Sequence, residues 1–178
     1  MSTNTERATG EYLNMPVEIS ELDSENRAFF EFCSRGELRL QQCENCKLKR
    51  YGPTTACPFC AHAESQWVPV AGRGTLYSYG EVHHAIQPAF RAHAPYLLLL
   101  VELDEQRNVP EEFDGLRLSG NLVDADGELA SPELVRQVGI GTRLKVVFKQ
   151  IGANIALPQW TIDTEAPQPE TPWRYPIE

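Results

Sequence analysis

Four cysteines in two close pairs, Cys43-x-x-Cys46 and Cys57-x-x-Cys60, constrain this chain more than any other feature. Zn²⁺ takes four soft ligands at the corners of a tetrahedron, and each C-x-x-C turn brings two thiolates to one side. The ten residues between the pairs can form a short hairpin, Lys47 to Ala56 with Gly52-Pro53 at its bend, that returns the second pair to the first. This is the pattern of a zinc ribbon. All four coordination positions are filled by protein, so the expected role of the metal is structural. Disulfides would need an oxidising compartment, and nothing in the sequence targets one. A redox C-x-x-C needs a single pair at a helix start in a βαβ context, which is absent. Iron in the same cage stays open, because ligand softness and geometry do not separate it from zinc.

Around the cysteines the hydrophobic period changes twice. Asp23 or Ser24 can cap a helix that runs to Cys33 and stops at Gly36, with Phe29 and Cys33 on one face. Leu38 and Leu40 then alternate with Glu37, Arg39 and Gln41, the period of a half-buried strand leading into Cys43. Beyond Gly72 the pattern predicts strands at 74–82, 96–103, 116–123, 142–151 and 154–162. Tyr96 to Leu103 is nearly continuous in apolar residues and predicts a strand buried on both faces. Ser131-Pro132 opens one short helix before the last pair. Five strands with that helix predict a mostly β fold ending in a five-stranded barrel of the OB type. Residues 1–22 are expected to be a flexible N-terminal segment, 23–71 the helix and ribbon, 72–163 the OB-fold and 164–178 a Pro-rich tail. Trp173 and Tyr175 are aromatics in that tail, which reads as solvated or as docking on a partner.

Charge narrows the partners. The net charge of −9 opposes a phosphate backbone, which is held by Lys and Arg releasing counterions. The bases are nevertheless gathered: Arg35, Arg39, Lys47, Lys49 and Arg50 stand close in sequence to only Glu37 and Glu44. Such a cluster suits a small phosphorylated ligand or a solvated face better than a long nucleic acid. No apolar run reaches the roughly 18–20 residues of a membrane span. No apolar signal core follows Met1 to Gly10, so the expected location is cytoplasmic. No catalytic residues emerge. Cys33 reads as a small buried hydrophobe, and His83, His84 and His93 share a loop without an acid partner at a telling spacing. His62 follows a cage that is already full.

The order of a helix, LQQCENC, YGP, CPFC, a Trp, GRGTLYSY, PAF with PY downstream, LVELDE and IGTRLKVVF resembles a domain-of-unknown-function family. Its members pair a rubredoxin-like zinc ribbon with an acyl-CoA-associated OB-fold. The likeness covers residues 24–163, and its spine is the four-cysteine ribbon followed at once by G-x-G-T-x-Y-S. The family often has Gly directly after the second cysteine, where Lys47 stands here. The resemblance implies a small non-catalytic subunit in a hetero-oligomer with a thiolase-like enzyme, or a related hydratase or aldolase, acting on acyl-CoA thioesters. The partner would supply the reacting residues, while this chain scaffolds it and helps enclose the CoA arm. Zn²⁺ would be structural and the coenzyme A thioester a shared ligand, with Lys47, Lys49 and Arg50 placed to meet the CoA phosphates.

Two other functions use the same parts. A nucleic-acid-binding ribbon and OB module would stack bases on Tyr77, Tyr79 and Phe90, against the unfavourable charge. A free-standing acyl-CoA-binding protein would need no enzyme partner.

Overall fold

The computed structural model describes residues 7–107 and 115–176. It divides into two units, 1–70 with 148–157 and 71–147 with 158–178.

In the first unit, β1 (Ala8–Tyr12) and β2 (Met15–Ile19) form an antiparallel hairpin. Leu13 and Asn14 turn it with φ of +50° and +60°, both in the left-handed region that two-residue hairpin turns require. Within the segment expected to be flexible, residues 8–19 form this hairpin, and residues 1–6 lie outside the described residues. Gly10 and Gly152 make this possible. A Cβ on Gly10 would stand 2.5 Å from the Ile151 carbonyl oxygen, and one on Gly152 would collide with the carbonyl oxygen of Thr9. Helix α1 (Ser24–Ser34) follows, capped by the Asp23 carboxylate accepting from Asn26 N. It buries Phe29 and Cys33 as its period predicts. A three-stranded antiparallel sheet carries the cysteines: β3 (Arg39–Cys43) lies between β4 (Lys49–Arg50) and β5 (Ser65–Pro69). The expected hairpin within 47–56 is replaced by this pairing. Lys49 and Arg50 run back along β3, opposite Gln42 and Gln41.

The five-stranded sheet has the order β10 (Ile155–Ile162), β9 (Arg143–Gly152), β6 (Arg73–Val82), β7 (Tyr96–Leu103), β8 (Arg117–Asn121). Helix α2 (Pro132–Gln137) begins at Ser131, whose hydroxyl accepts from Leu134 N. The expected burial of β7 on both faces is corrected. Leu97, Leu99, Val101 and Leu103 point inward, while Leu98 is 49% exposed. The apolar run is long because its outward positions are also apolar, which the period alone cannot distinguish. A bulge at Tyr77 breaks the β6–β7 register, and the exposed ring lies 3.9 Å from the Arg117 guanidinium.

The barrel is not closed. Its edge strands β8 and β10 meet beside one parallel bridge, Leu122 with Trp160, where Val123 N donates to Trp160 O at 2.8 Å. Pro158 has no N–H to offer a ladder there. The Gln159 side chain instead accepts from Asn121 N at 2.7 Å. Trp160 fills the interior beneath, fully buried against Gly120.

The tail is held by its own unit. Trp173 forms an antiparallel bridge with Ile140, and Gln168 exchanges bonds with the Arg143 backbone. Arg174 donates to the carbonyls of Val135 and Val138, satisfying the C-terminal end of α2, and pairs with Glu81. Residues 177–178 lie outside the described residues. Among the described residues no helix is long and apolar enough to cross a membrane.

Candidate metal centre

Both cysteine turns have one construction. Lys47 N donates to Cys43 O at 3.1 Å and Ala61 N to Cys57 O at 2.8 Å. Cys43 N donates to Leu48 O and Cys57 N to His62 O, at 3.0 and 2.8 Å. The residue after each second cysteine is left-handed, with φ of +63° at Lys47 and +60° at Ala61. Glycine adopts this conformation without a Cβ clash; Lys47 and Ala61 adopt it under strain. The departure from glycine at position 47 alters the energy of the turn and leaves its geometry intact.

The turns bring all four Sγ atoms within 4.8 Å of one another. Cys43 to Cys60 and Cys46 to Cys57 are each 3.6 Å apart. A Zn–S bond of about 2.3 Å in a tetrahedron places sulfurs about 3.8 Å apart, so the cage fits one ion. The sulfurs are too far apart for disulfides, whose bond is about 2.05 Å. Among the described residues no other group of three or more His, Cys, Asp or Glu comes together in this way. The thiols are not equivalent. The His62 backbone N–H, followed by the Asn45 amide 3.6 Å away, pulls Cys60 down to about 6. Burial pushes Cys46 up to about 12. Burial also opposes ionisation of Cys43, but the backbone N–H groups of Cys46 and Asn45 hold it below its ordinary value. Asn45, between two ligand positions, is a contributor the spacing argument missed. Its only sequence signal is a polar amide inside the first C-x-x-C.

The three cations expected to meet phosphate do not stand alike. Lys47 is exposed and Lys49 half-buried. Arg50 does not fit that expectation: it is 4% exposed, and its guanidinium donates to Thr54 Oγ1, Thr54 O and Ser65 Oγ. Two other bases of the run are ion-paired, Arg35 with Glu31 and Arg39 with Glu37, both at 2.6 Å. Cys33 is fully buried and its thiol is pushed up to about 12 by that burial, so it carries no nucleophile. His83 lies 3.5 Å from Glu81, which already holds Arg174.

In the second unit, a cleft of about 390 Å³ is lined by Thr75, Tyr77, Glu102, Arg107 and Ile140, among others. The rings that a base-stacking module would use are engaged within the chain. Arg117 covers Tyr77, Tyr79 Oη accepts from Tyr175 N at 3.0 Å, and Phe90 packs 5.1 Å from Tyr96.

Residues 67–149 match the sequence model of a family described as ChsH2, C-terminal OB-fold domain. A chain of the Ltp2-ChsH2(DUF35) aldolase superimposes with a TM-score of 0.60 and 31% identity, covering 78% of this chain and 94% of that one. The chain belongs to the DUF35 family. A DUF35 domain-containing scaffold protein of Methanocaldococcus jannaschii is 30% identical over 62% of this chain and 66% of its own length. A probable enoyl-CoA hydratase alpha subunit of Thermomonospora curvata is 37% identical over 62% of this chain. The DUF35 chain described here spans only 37% of that subunit's length.

Proposed function

We propose that this DUF35 chain is a zinc-binding, non-catalytic auxiliary subunit of an acyl-CoA-processing complex. In that cytoplasmic hetero-oligomer it scaffolds a thiolase-type enzyme, or a related aldolase or hydratase, and helps enclose the CoA arm of the substrate. The observation that carries this reading is the match to nearly the whole of a chain from the Ltp2-ChsH2(DUF35) aldolase. The relatives named as a scaffold protein and as a hydratase alpha subunit support the same class of assembly.

The chemistry of the centre agrees with a supporting role. Four cysteines would complete the shell of one Zn²⁺ and leave no position for substrate or water, so the ion would supply fold stability. Lys47 and Lys49 are the cations of the basic run offered to CoA phosphates, with the lysine ammonium acting as a point charge. Purification from the native host tests the reading. A stoichiometric companion of thiolase, aldolase or hydratase type is expected, together with about one zinc per chain. Recovery of the chain without such a companion, or bound to nucleic acid, would overturn it.

A further inference from the structure

Arg50 presents a charge problem that its hydrogen bonds do not solve. A guanidinium is always ionised in proteins, so burial cannot neutralise it. All three of its bonded acceptors, Thr54 Oγ1, Thr54 O and Ser65 Oγ, are neutral. Its Nη1 is buried and has no hydrogen-bond partner among the described residues. Among the described residues it joins no carboxylate in an ion pair, unlike Arg35 and Arg39 of the same basic run. A buried cation among neutral partners is strongly unfavourable unless a negative charge lies near.

The strand register shows where such a charge would arise. Arg50 lies opposite Gln41 on β3, and Cys43 lies opposite Ser65. Gln41 and Cys43 are two residues apart, so their side chains share a face of the sheet, and Arg50 shares it with them. By reaching Ser65, the guanidinium enters the row of Cys43, where opposite Cβ atoms stand about 4.5–5.5 Å apart. Its other anchor leads to the second turn: the Thr54 hydroxyl donates to Ala56 O, immediately before Cys57. Four thiolates around one Zn²⁺ carry a formal net charge of about −2.

We propose that Arg50 is the built-in counter-charge of the four-cysteine centre, a positioning residue that favours the all-thiolate, metal-loaded state. This rests on the metal reading above. It explains why a cation at the end of the basic run is buried while Lys47 is left to solvent.

The test compares full-length wild type with Arg50→Gln and Arg50→Lys, using zinc itself in competition with a chromogenic chelator. Arg50→Gln should weaken zinc binding about 10–100-fold, the range of supporting residues around metal ligands, while Arg50→Lys stays within about threefold of wild type. Cobalt substitution gives a readout that packing alone would not move. The thiolate-to-cobalt charge-transfer band should shift to lower energy in Arg50→Gln and hold its place in Arg50→Lys. Wild-type affinity in Arg50→Gln, or equal losses in both variants, would overturn the inference while the metal reading stands. Wild-type protein that binds no zinc would overturn both. If Arg50→Gln does not fold with zinc present, Arg50→Lys decides: folded protein with near wild-type affinity supports the role of charge, and a tenfold loss rejects it.

Discussion

At the scale of single residues, the four-cysteine cluster is legible in the sequence because its spacing is local: each C-x-x-C turn is closed by its own neighbouring residues. The environment of those turns is not legible, because distant partners decide it. Arg50 reads as one more surface base, and its burial depends on Thr54 and on Ser65, across two strand pairings. The strain at Lys47 and Ala61 makes a specific prediction. A left-handed non-glycine residue costs about 1–2 kcal/mol, partly offset by the greater freedom of glycine in the unfolded chain. Lys47→Gly and Ala61→Gly should each stabilise the zinc-loaded protein by about 0.5–1 kcal/mol in urea titrations. Cys33 allows a second prediction. With its pKa raised from 9.0 to about 12, the folded state keeps the proton longer than the unfolded state. Its contribution to stability is therefore intact below pH 9 and is lost as pH rises from 9 toward 12. At pH 8 its thiolate should be on the order of a thousandfold scarcer than in the unfolded chain. Mass-spectrometric alkylation should then label Cys33 in denaturant and leave it unlabelled in the native protein.

At the scale of elements, α1, α2 and the five long strands follow from caps and periodicity. The missed elements depend on contacts remote in sequence. Met15, Val17 and Ile19 do alternate with Pro16 and Glu18, but the β1–β2 hairpin is too short to commit alone. The glycines at 10 and 152 admit its backbone against Thr9 and Ile151. Likewise the prolines of the tail bar regular structure, yet they do not prevent the Trp173–Ile140 bridge. Gly139 is the tight point: a Cβ there would collide with the Trp173 carbonyl oxygen. Gly139→Ala should release the tail and cost about 1–3 kcal/mol, with new protease cleavage after residue 164 as the readout. Retained protection of the tail would show that the bridge tolerates the added methyl. The ribbon makes the complementary case, since β4 is two residues long and most of the 44–64 segment lacks a ladder. Cys46→Ser or zinc removal should unfold residues 43–60, because apparent binding energies near 10–16 kcal/mol in finger peptides are also folding energies. Hydrogen exchange across the ribbon would show it, and unchanged protection after chelation would refute it.

At the scale of the whole molecule, the proposal that this DUF35 chain is inert alone and needed in company has its most direct test in kinetics. The four clustered cysteines would spend their thiols on one ion, and burial pushes the thiol of the remaining cysteine, Cys33, up to about 12. In that proposal the reacting residues belong to the partner, because nucleophilic chemistry on a thioester needs an ionised, accessible group beside a base. Purified alone, the chain should show no thiolysis, condensation, hydration or aldol cleavage of an acyl-CoA. Mixed with its cognate subunit, it should raise turnover, and Cys33→Ala should leave that gain unchanged. Lys47→Ala with Lys49→Ala should then raise KM for the CoA thioester, with assembly by gel filtration preserved. Arg50 belongs outside that pair, because its change acts first on the ribbon. Turnover by the isolated chain that disappears in Cys33→Ala would place the catalytic nucleophile here and reverse the assignment of roles. Such a result would also require α1 to open, since Phe29 and Cys33 are both fully buried on its inner face.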